Sequence, residues 1–204
     1  MAKPFSQACE NNKTPILEVL EQYLKEPGDL LEIGSGTGQH ALWLSQNLPH
    51  LSWQPSDMEQ HLPGIRSWCA DGGTNLLEPM ALDVRDSWPD RQFDAVFTAN
   101  TFHIMAAPLV TLCIQQASKV LRPGARMFVY GPFNYAGRFT SESNARFNEW
   151  LQARDPASAI RDIEWIITEM STHGLQLEQD HEMPANNRLL VFRRENIPHP
   201  SHTG

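Results

Sequence analysis

The stretch Leu30–His40, LLEIGSGTGQH, joins a short apolar run to a glycine cluster and then to a helical pattern. Gly34, Gly36 and Gly38 alternate with small or polar residues, so the backbone can turn sharply and lie close to a ligand with no side chain between. The amides that open the following helix, expected over Gln39–Asn47, favour a carboxylate or a phosphate. On this physics alone the bound group is part of a nucleotide or of an amino-acid-like ligand. Glu32 ends the strand two residues before the first glycine, where a carboxylate repels a pyrophosphate and attracts an ammonium. The glycines run G-x-G-x-G, whereas the dinucleotide fingerprint sets its third glycine one place later, and Gln39 occupies that place. No G-K-[ST] ending follows, which argues against a phosphate-binding loop for ATP or GTP hydrolysis.

Around this turn, strand and helix patterns alternate. Apolar residues from Ile16 to Leu24 recur at helical spacing and predict a helix over Pro15–Lys25, capped by Thr14, with Pro15 in its first position. Strands are expected at Leu30–Ile33, Leu51–Gln54, Pro79–Val84, Phe93–Ala99 and Ala125–Tyr130. Helical segments fall at Gly64–Cys69 and at Leu109–Leu121, the latter with an inner stripe of Leu109, Leu112, Cys113, Ala117 and Val120. Such alternation predicts an α/β fold, a mostly parallel sheet with helices on both faces. Residues 133–161 are polar, with Phe139, Phe147, Trp150 and Leu151 as apolar anchors, and read as an insertion holding a helix over Glu142–Ala153. A helix over Asp162–Thr172, stopped by Gly174, precedes two strands, Leu175–Glu182 and Arg188–Arg193, expected as an antiparallel pair. Residues 1–196 thus read as one domain and 197–204 as a flexible tail, whose His199 and His202 are tail residues rather than metal ligands.

The 204 residues suffice for one complete core, and the 41% hydrophobic and 20% charged fractions are those of a soluble globular protein. A net charge of −8 gives no strong nucleic-acid signal, since a duplex footprint needs a concentrated basic surface. A small-molecule partner fits better. Cys9, Cys69 and Cys113 form neither a disulfide framework nor a zinc pattern and read as reduced thiols of a cytoplasmic protein. No signal peptide is read at the start, and no metal site is expected. The uncharged run Ala95–Ile114 is broken by Thr98, Asn100, Thr101, His103 and Pro108, so it reads as strand, loop and helix rather than a membrane span. An uncovered edge strand at the C-terminal end leaves homo-oligomerisation open.

Asp57 lies 19 residues after Gly38, just past the second strand, where an acid can accept both hydroxyls of a ribose. Asp83 follows the third strand, and can instead cap its turn or brace Arg85. Open α/β sheets bind ligands beyond the carboxyl ends of their strands, so Glu32, Asp57, Asp83 and Asn100 are expected to line one crevice. His103, in the loop after the fourth strand, is a candidate proton acceptor near neutrality; its rival role is to hold that loop through backbone hydrogen bonds. Tyr130, Phe133, Asn134 and Tyr135 suit an acceptor pocket or the packing of the insertion, and Arg161 opens the later helix as a candidate substrate contact. Trp43, Trp68 and Trp88 read as core.

The order E-x-G-x-G-x-G, an acid after strand two, L-D-V after strand three, F-D-A-V-F at strand four and L-R-P-G-A before strand five resembles the class I S-adenosylmethionine (SAM)-dependent methyltransferases. That likeness covers roughly Asn12–Pro132 and implies a Rossmann-like, seven-stranded sheet. The segments ENNKTPILEVL, SWQPSD, NTFHI, AIRDIEW and MPANNRLLVF further resemble a small methyltransferase-like family of unassigned substrate, over Glu10 to about Arg194. The class pattern implies that Gly34, Gly36 and Gly38 flank the methionine part of SAM. It sets Glu32 near the amino group, Asp57 at the ribose and Asp83 at the adenine amino group, while the closer likeness adds Asn11, Asn12 and Lys13 as residues that close the cofactor site. The expected activity is methyl transfer to a small molecule, with no choice among O, N, S or C acceptor atoms. Two rivals stand beside it: a SAM- or nucleotide-binding regulatory module without turnover, and an NAD-linked oxidoreductase, against which Glu32 and the glycine spacing both count.

Overall fold

The computed structural model describes residues 3–196; the expected tail 197–204 lies outside the described residues. Among the described residues nine strands and six α-helices run in the order α1 (Gln7–Tyr23), β1 (Gly28–Ile33), α2 (Gln39–Asn47), β2 (Leu51–Asp57), α3 (Leu62–Cys69), β3 (Met80–Ala81), β4 (Phe93–Ala99), α4 (Ala107–Val120), β5 (Leu121–Gly131), β6 (Phe133–Asn134), α5 (Glu142–Arg154), β7 (Arg161–Asp162), α6 (Ile163–Thr172), β8 (Leu175–Met183) and β9 (Asn187–Arg194). Seven strands form one sheet in the order β3-β2-β1-β4-β5-β9-β8, and β6 and β7 pair separately. The first five are parallel, while β9 runs antiparallel to both β5 and β8. The chain leaves β1 toward β2 on one side and reaches β4 on the other, so a crevice opens beyond the carboxyl ends of β1 and β4.

Side-chain alternation divides the core into two layers, because successive strand residues face opposite sides of a sheet. Leu31, Val96, Met127, Val129, Leu190 and Phe192 face α4 and α6. Leu30, Ala95, Phe97, Phe128, Leu189 and Val191 face α1 and α2. Burial on both faces explains why the central strands read as continuous apolar runs. On α4 the buried stripe is Val110, Cys113, Ile114, Ala117 and Val120, so the expected Leu109 and Leu112 lie at its margin, only part-buried. Trp43, Trp68 and Trp88 are likewise half-buried.

Several elements differ from the sequence reading: β2 runs on to include Asp57 instead of ending at Gln54, β5 begins at Leu121 instead of Ala125, and the short β6 and β7 were not expected. The third strand, expected over Pro79–Val84, is reduced to Met80–Ala81. Pro79 has no N–H to give to a ladder, and the chain on either side touches β2 through separate bonds, Leu77 N to Trp53 O and Leu82 N to Asp57 O. The first helix begins at Gln7, capped by Ser6, so Pro15 lies inside it and not at its first position. Pro15 leaves the Asn11 carbonyl without its helical donor. Burial of Ile16, Leu17, Val19 and Leu20 holds the helix together beyond that break.

Pro15→Ala restores the missing bond and should stabilise the fold by about 1–2 kcal/mol, the helix-interior penalty of proline less its restriction of the unfolded chain. Urea unfolding reads this as a higher midpoint. An unchanged or lower midpoint would show that the break is required by the packing of α1.

Candidate functional site

The register of β1 on β2, with Ile33 opposite Ser56, brings the glycine turn beside the end of β2. Ser35 N donates to Ser56 O at 2.9 Å, and Ser56 N donates back to Ser35 Oγ at 3.1 Å. Gly36 N donates to Asp57 Oδ2 at 2.8 Å, while Asp57 Oδ1 accepts from Met58 N at 2.7 Å and lies 2.7 Å from His61 Nδ1. Gly34 and Gly36 have φ of +70° and +58°, in the region that side chains disfavour. A Cβ at Gly34 would lie 2.5 Å from Thr101 Cγ2, whereas one at Gly36 would meet nothing within 4 Å. The open face of Gly36 is therefore room for a ligand, and the turn is held from behind.

Glu32 is 2% exposed. Its Oε2 accepts from Trp53 Nε1 at 3.0 Å, and it forms no ion pair among the described residues. Burial pushes its carboxyl up to about 7; the hydrogen bonds from Trp53 and Ser35 oppose the rise, and the charge of Asp57 adds to it. A cation brought beside it would recover the charged form.

The amino-terminal half of α1 closes over the turn. Gln39 Oε1 accepts from Ser6 N at 2.6 Å and from Thr37 Oγ1 at 3.0 Å, and Gln39 Nε2 donates to Glu10 Oε1 at 2.7 Å. Glu10 in turn pairs with Lys13, whose ammonium lies 4.5 Å from the centre of the Trp43 ring. Asn12 Oδ1 is 2.6 Å from Nε2 of the buried His40, whose pKa burial pushes down to about 4. The chain before α1 is tied to α3, where Trp68 Nε1 donates to Pro4 O at 2.6 Å. Ser6, Glu10, Gln39 and His61 were not singled out in the sequence. Only the place of Gln39, where a dinucleotide site carries glycine, marked any of them.

On the acceptor side, Asn100 takes φ +57° and its N–H donates to Tyr130 O at 2.8 Å, linking the ends of β4 and β5. The position a Cβ would take on Gly131 is 3.7 Å from His103 Nδ1 and 3.8 Å from Asn100 Oδ1, so these groups converge. His103 is 6% exposed and meets Phe147 of α5 edge-on at 5.4 Å. Burial, and secondarily the charge of Arg161, pushes its pKa down to about 4, so it is neutral at pH 7 and a weaker base than its type suggests. Tyr130 is buried, which raises its pKa, and hydrogen bonding with Asn12 and Asn187 acts in the opposite sense.

The remaining candidates lie apart from this convergence. Asp83 is held by Arg85 through both carboxylate oxygens, which brings its pKa down to about 2. It lines a cavity of about 380 Å³ together with Met58, Gln60, Ala81 and Ser87. Arg161 gives its guanidinium to the carbonyls of Phe102, Met105 and Ala157, and so braces the turn that carries His103. Asn134 and Arg161 line a second cavity of about 320 Å³ that shares no lining residue with the first. The insertion is anchored by Leu151 and Ile160 and by the buried amides Asn144 and Asn148, while Phe139 and Trp150, expected as anchors, are exposed. Asn148 Oδ1 accepts from Ile160 N at 2.8 Å, and Asn144 Nδ2 donates to Asn186 O at 3.2 Å. Phe5, Met58, Ile104, Phe139 and Trp150, the large apolar side chains exposed among the described residues, all belong to segments at the carboxyl edge of the sheet.

Residues 3–194 match the family described as "Protein of unknown function (DUF938)", and the chain belongs to that family. Solved structures share the fold. An O-methyltransferase family protein from Burkholderia thailandensis is 17% identical with a TM-score of 0.79, over 90% of this chain and 56% of that one. An O-methyltransferase family 2 protein from Planctomyces limnophilus, in complex with apigenin, is 18% identical with a TM-score of 0.80, over 92% and 58%. Human N-acetylserotonin methyltransferase, in complex with SAM, is 14% identical with a TM-score of 0.77, over 93% and 53%. The fold is that of the class I methyltransferases, and the chain spans a little over half the length of these neighbours. No helix among the described residues is long and apolar enough to cross a membrane.

Alanine at the first two glycines separates framework from ligand room. Gly34→Ala combines a left-handed backbone with the Thr101 clash and should destabilise by roughly 2–4 kcal/mol. Gly36→Ala carries only the backbone strain, about 1 kcal/mol. Thermal unfolding of the two variants checks the order; equal losses would show that Gly36 is also packed.

Proposed function

We propose that this member of the DUF938 family binds S-adenosylmethionine at the carboxyl edge of its sheet and transfers the methyl group to a small nucleophilic acceptor. The carrying observation is the arrangement of Glu32, the open face of Gly36 and Asp57 around one turn. Glu32, buried and without a cation, suits the amino group of the methionine part. Asp57 suits the ribose, since its Oδ2 has one donor and room for another. Asp83 would serve the adenine amino group while sharing its oxygens with Arg85. Asn12 and Asn100 flank the turn from α1 and from β4. The SAM complex of the human neighbour supports the cofactor class, and the apigenin complex of the Planctomyces neighbour supports a small-molecule acceptor.

When bound, the cofactor supplies a methyl group on a positively charged sulfur that leaves as a neutral thioether. The work left to the chain is orientation, an effect that reaches about 7–11 kcal/mol in favourable systems. Tyr130 holds the acceptor at the end of β5, beside the cofactor-side Asn100 at the end of β4. His103, neutral at pH 7, accepts a hydrogen bond from an acceptor O–H or N–H and takes its proton as the new bond forms. Arg161 acts through the turn it braces. The 133–161 insertion covers the edge: Phe147 of α5 meets His103 while Asn144 reaches the β8–β9 turn, and the enclosure excludes water. Residues 1–196 then work as one domain. A cofactor-binding module without turnover is the rival reading, favoured by the weak basicity of His103.

Isothermal titration with SAM, S-adenosylhomocysteine and NADH tests the reading. Both adenosyl ligands should bind saturably, NADH should not, and Asp57→Ala and Gly36→Ala should each weaken binding by at least tenfold while circular dichroism is unchanged. A folded sample that binds neither adenosyl ligand overturns the reading. Release of S-adenosylhomocysteine in the presence of metabolite extracts separates the enzyme from the silent module.

The pH dependence has a definite sign. Below about pH 7 Glu32 is protonated in the free protein, and an ammonium ligand favours its charged form. SAM affinity should therefore rise between pH 5.5 and 7.5, by up to about tenfold per pH unit below 7, with protons released on binding. Titrations in buffers of different ionisation heat measure that release. Glu32→Gln should flatten the profile; a profile that stays steep would move the linkage to another group.

A further inference from the structure

Asp57 is the carboxylate proposed above for a ribose, and its two oxygens are not equally free. A carboxylate offers about four acceptor places, two on each oxygen. Oδ2 accepts from Gly36 N at 2.8 Å and keeps one place, beside the open face of Gly36. Oδ1 has two neighbours, Met58 N at 2.7 Å and His61 Nδ1 at 2.7 Å, and keeps none. A ring nitrogen bonds a carboxylate only as N–H, so His61 is the donor.

The cis hydroxyls of a ribose stand side by side. They hold one carboxylate most firmly with a hydroxyl on each oxygen, as other bidentate pairs do. On Asp57 the first hydroxyl fits Oδ2, and the second needs a place on Oδ1. The two amides cannot give way. Gly36 N is fixed by the turn that Ser35 and Ser56 tie to β2, and Met58 N belongs to the next residue of the chain. His61 can. Its side chain is 46% exposed, against 10% for Asp57. The ring makes no other hydrogen bond among the described residues and does not cap α3, which follows it. The backbone of His61 is held separately, its N–H donating to Met58 O at 2.9 Å, so the ring can swing into solvent while the turn before α3 stays in place.

Given S-adenosylmethionine binding as proposed, we infer that His61 holds the place of the second ribose hydroxyl on Asp57 and is displaced when the diol binds. Before the exchange, the imidazole keeps Oδ1 paired and the carboxylate in the orientation that holds the glycine turn. The bond it makes is half-exposed, and such pairs are weak, so two hydroxyls on one ring win the exchange. A ligand with one hydroxyl takes the place on Oδ2 and leaves the imidazole where it is. His61 thereby lowers the affinity of a diol by the strength of one bond, and that of a single hydroxyl hardly at all, which makes it a specificity-determining residue of the ribose site.

Titration of the full chain with S-adenosylhomocysteine and with its 2′-deoxy and 3′-deoxy analogues tests the exchange. His61→Ala should tighten the parent ligand by about fivefold, the strength of one exposed pair, and each analogue by less than about twofold. His61→Asn, whose amide puts a donor where Nδ1 stood, should return the parent affinity to the wild-type value. In ¹H–¹⁵N spectra, the ring signals of His61, identified by their loss in His61→Ala, should move toward those of a solvated imidazole with the parent ligand and stay with the analogues. Weaker parent binding in His61→Ala would make the imidazole a support of Asp57 and overturns the inference. Equal gains for parent and analogues, or ring signals unmoved under saturating parent ligand, overturn it as well. All three results require the parent to bind and so leave the cofactor reading intact. A folded wild-type chain that binds none of the three ligands overturns that reading, and the inference with it.

Discussion

The hydrogen bond from the Gly36 amide to the Asp57 carboxylate fixes the relation between the glycine turn and the second strand. It depends on three earlier facts. β1 and β2 are parallel and in register at Ile33 and Ser56, the turn follows β1 without delay, and a left-handed backbone at Gly34 and Gly36 points successive amides to one side. A carboxylate that accepts backbone amides is held in one orientation, and it holds the turn in exchange. The same residue that suits a ribose is thus part of the framework that shapes the site, and ligand and fold compete for its oxygens.

The amino-terminal half of α1 shows how a polar segment becomes structural. QACENNKT has no apolar stripe, and Pro15 gives the impression of a start rather than an interior. The segment is held as helix by side chains that reach Gln39 and His40, residues distant in sequence and invisible to periodicity. Propensity and pattern describe a helix that buries an apolar face. They cannot describe one that is stabilised through hydrogen bonds to a turn on another element. For the same reason Gln39 was legible only as a departure from a glycine pattern, and its role as the joint between α1 and the turn was not.

The sheet itself was legible, since the strands that make it are apolar runs bounded by Pro, Gly and Asp, and two-sided burial writes itself into composition. Phe93–Ala99 and Glu142–Arg154 fall where the pattern set them, the latter within a residue at its end. The margins were less legible. β3 is short because an edge strand with a proline has few bonds to lose, and on α4 Val110 and Ile114 take the buried places expected for Leu109 and Leu112, while Cys113, Ala117 and Val120 keep theirs, because leucine is apolar whether or not it is covered. The chemistry of His103 was the least legible. A histidine in a loop reads as a group that titrates near neutrality, but burial against Phe147 and the nearby charge of Arg161 remove that property. Both causes come from the insertion, whose path across the edge of the sheet no local pattern encodes.

The insertion also explains where the backbone is strained. Asn100, Ala136, Ala185 and Asn186 all have positive φ, and all lie at the carboxyl edge. Asparagine tolerates this region, but alanine there is strained by about 1 kcal/mol. Ala185 and Asn186 bend the β8–β9 turn so that the Asn186 carbonyl meets Asn144 of α5, and Asn100 bends β4 so that its amide meets Tyr130. Asn186 thereby brings a carbonyl to the insertion, Asn100 ties the ends of β4 and β5 together, and the Ala136 amide reaches Glu164 of α6. No comparable strain occurs at the opposite edge among the described residues. These polar groups are paired within the chain, so the strain at this edge is spent on docking the insertion and on tying the strand ends together, not on closing the core.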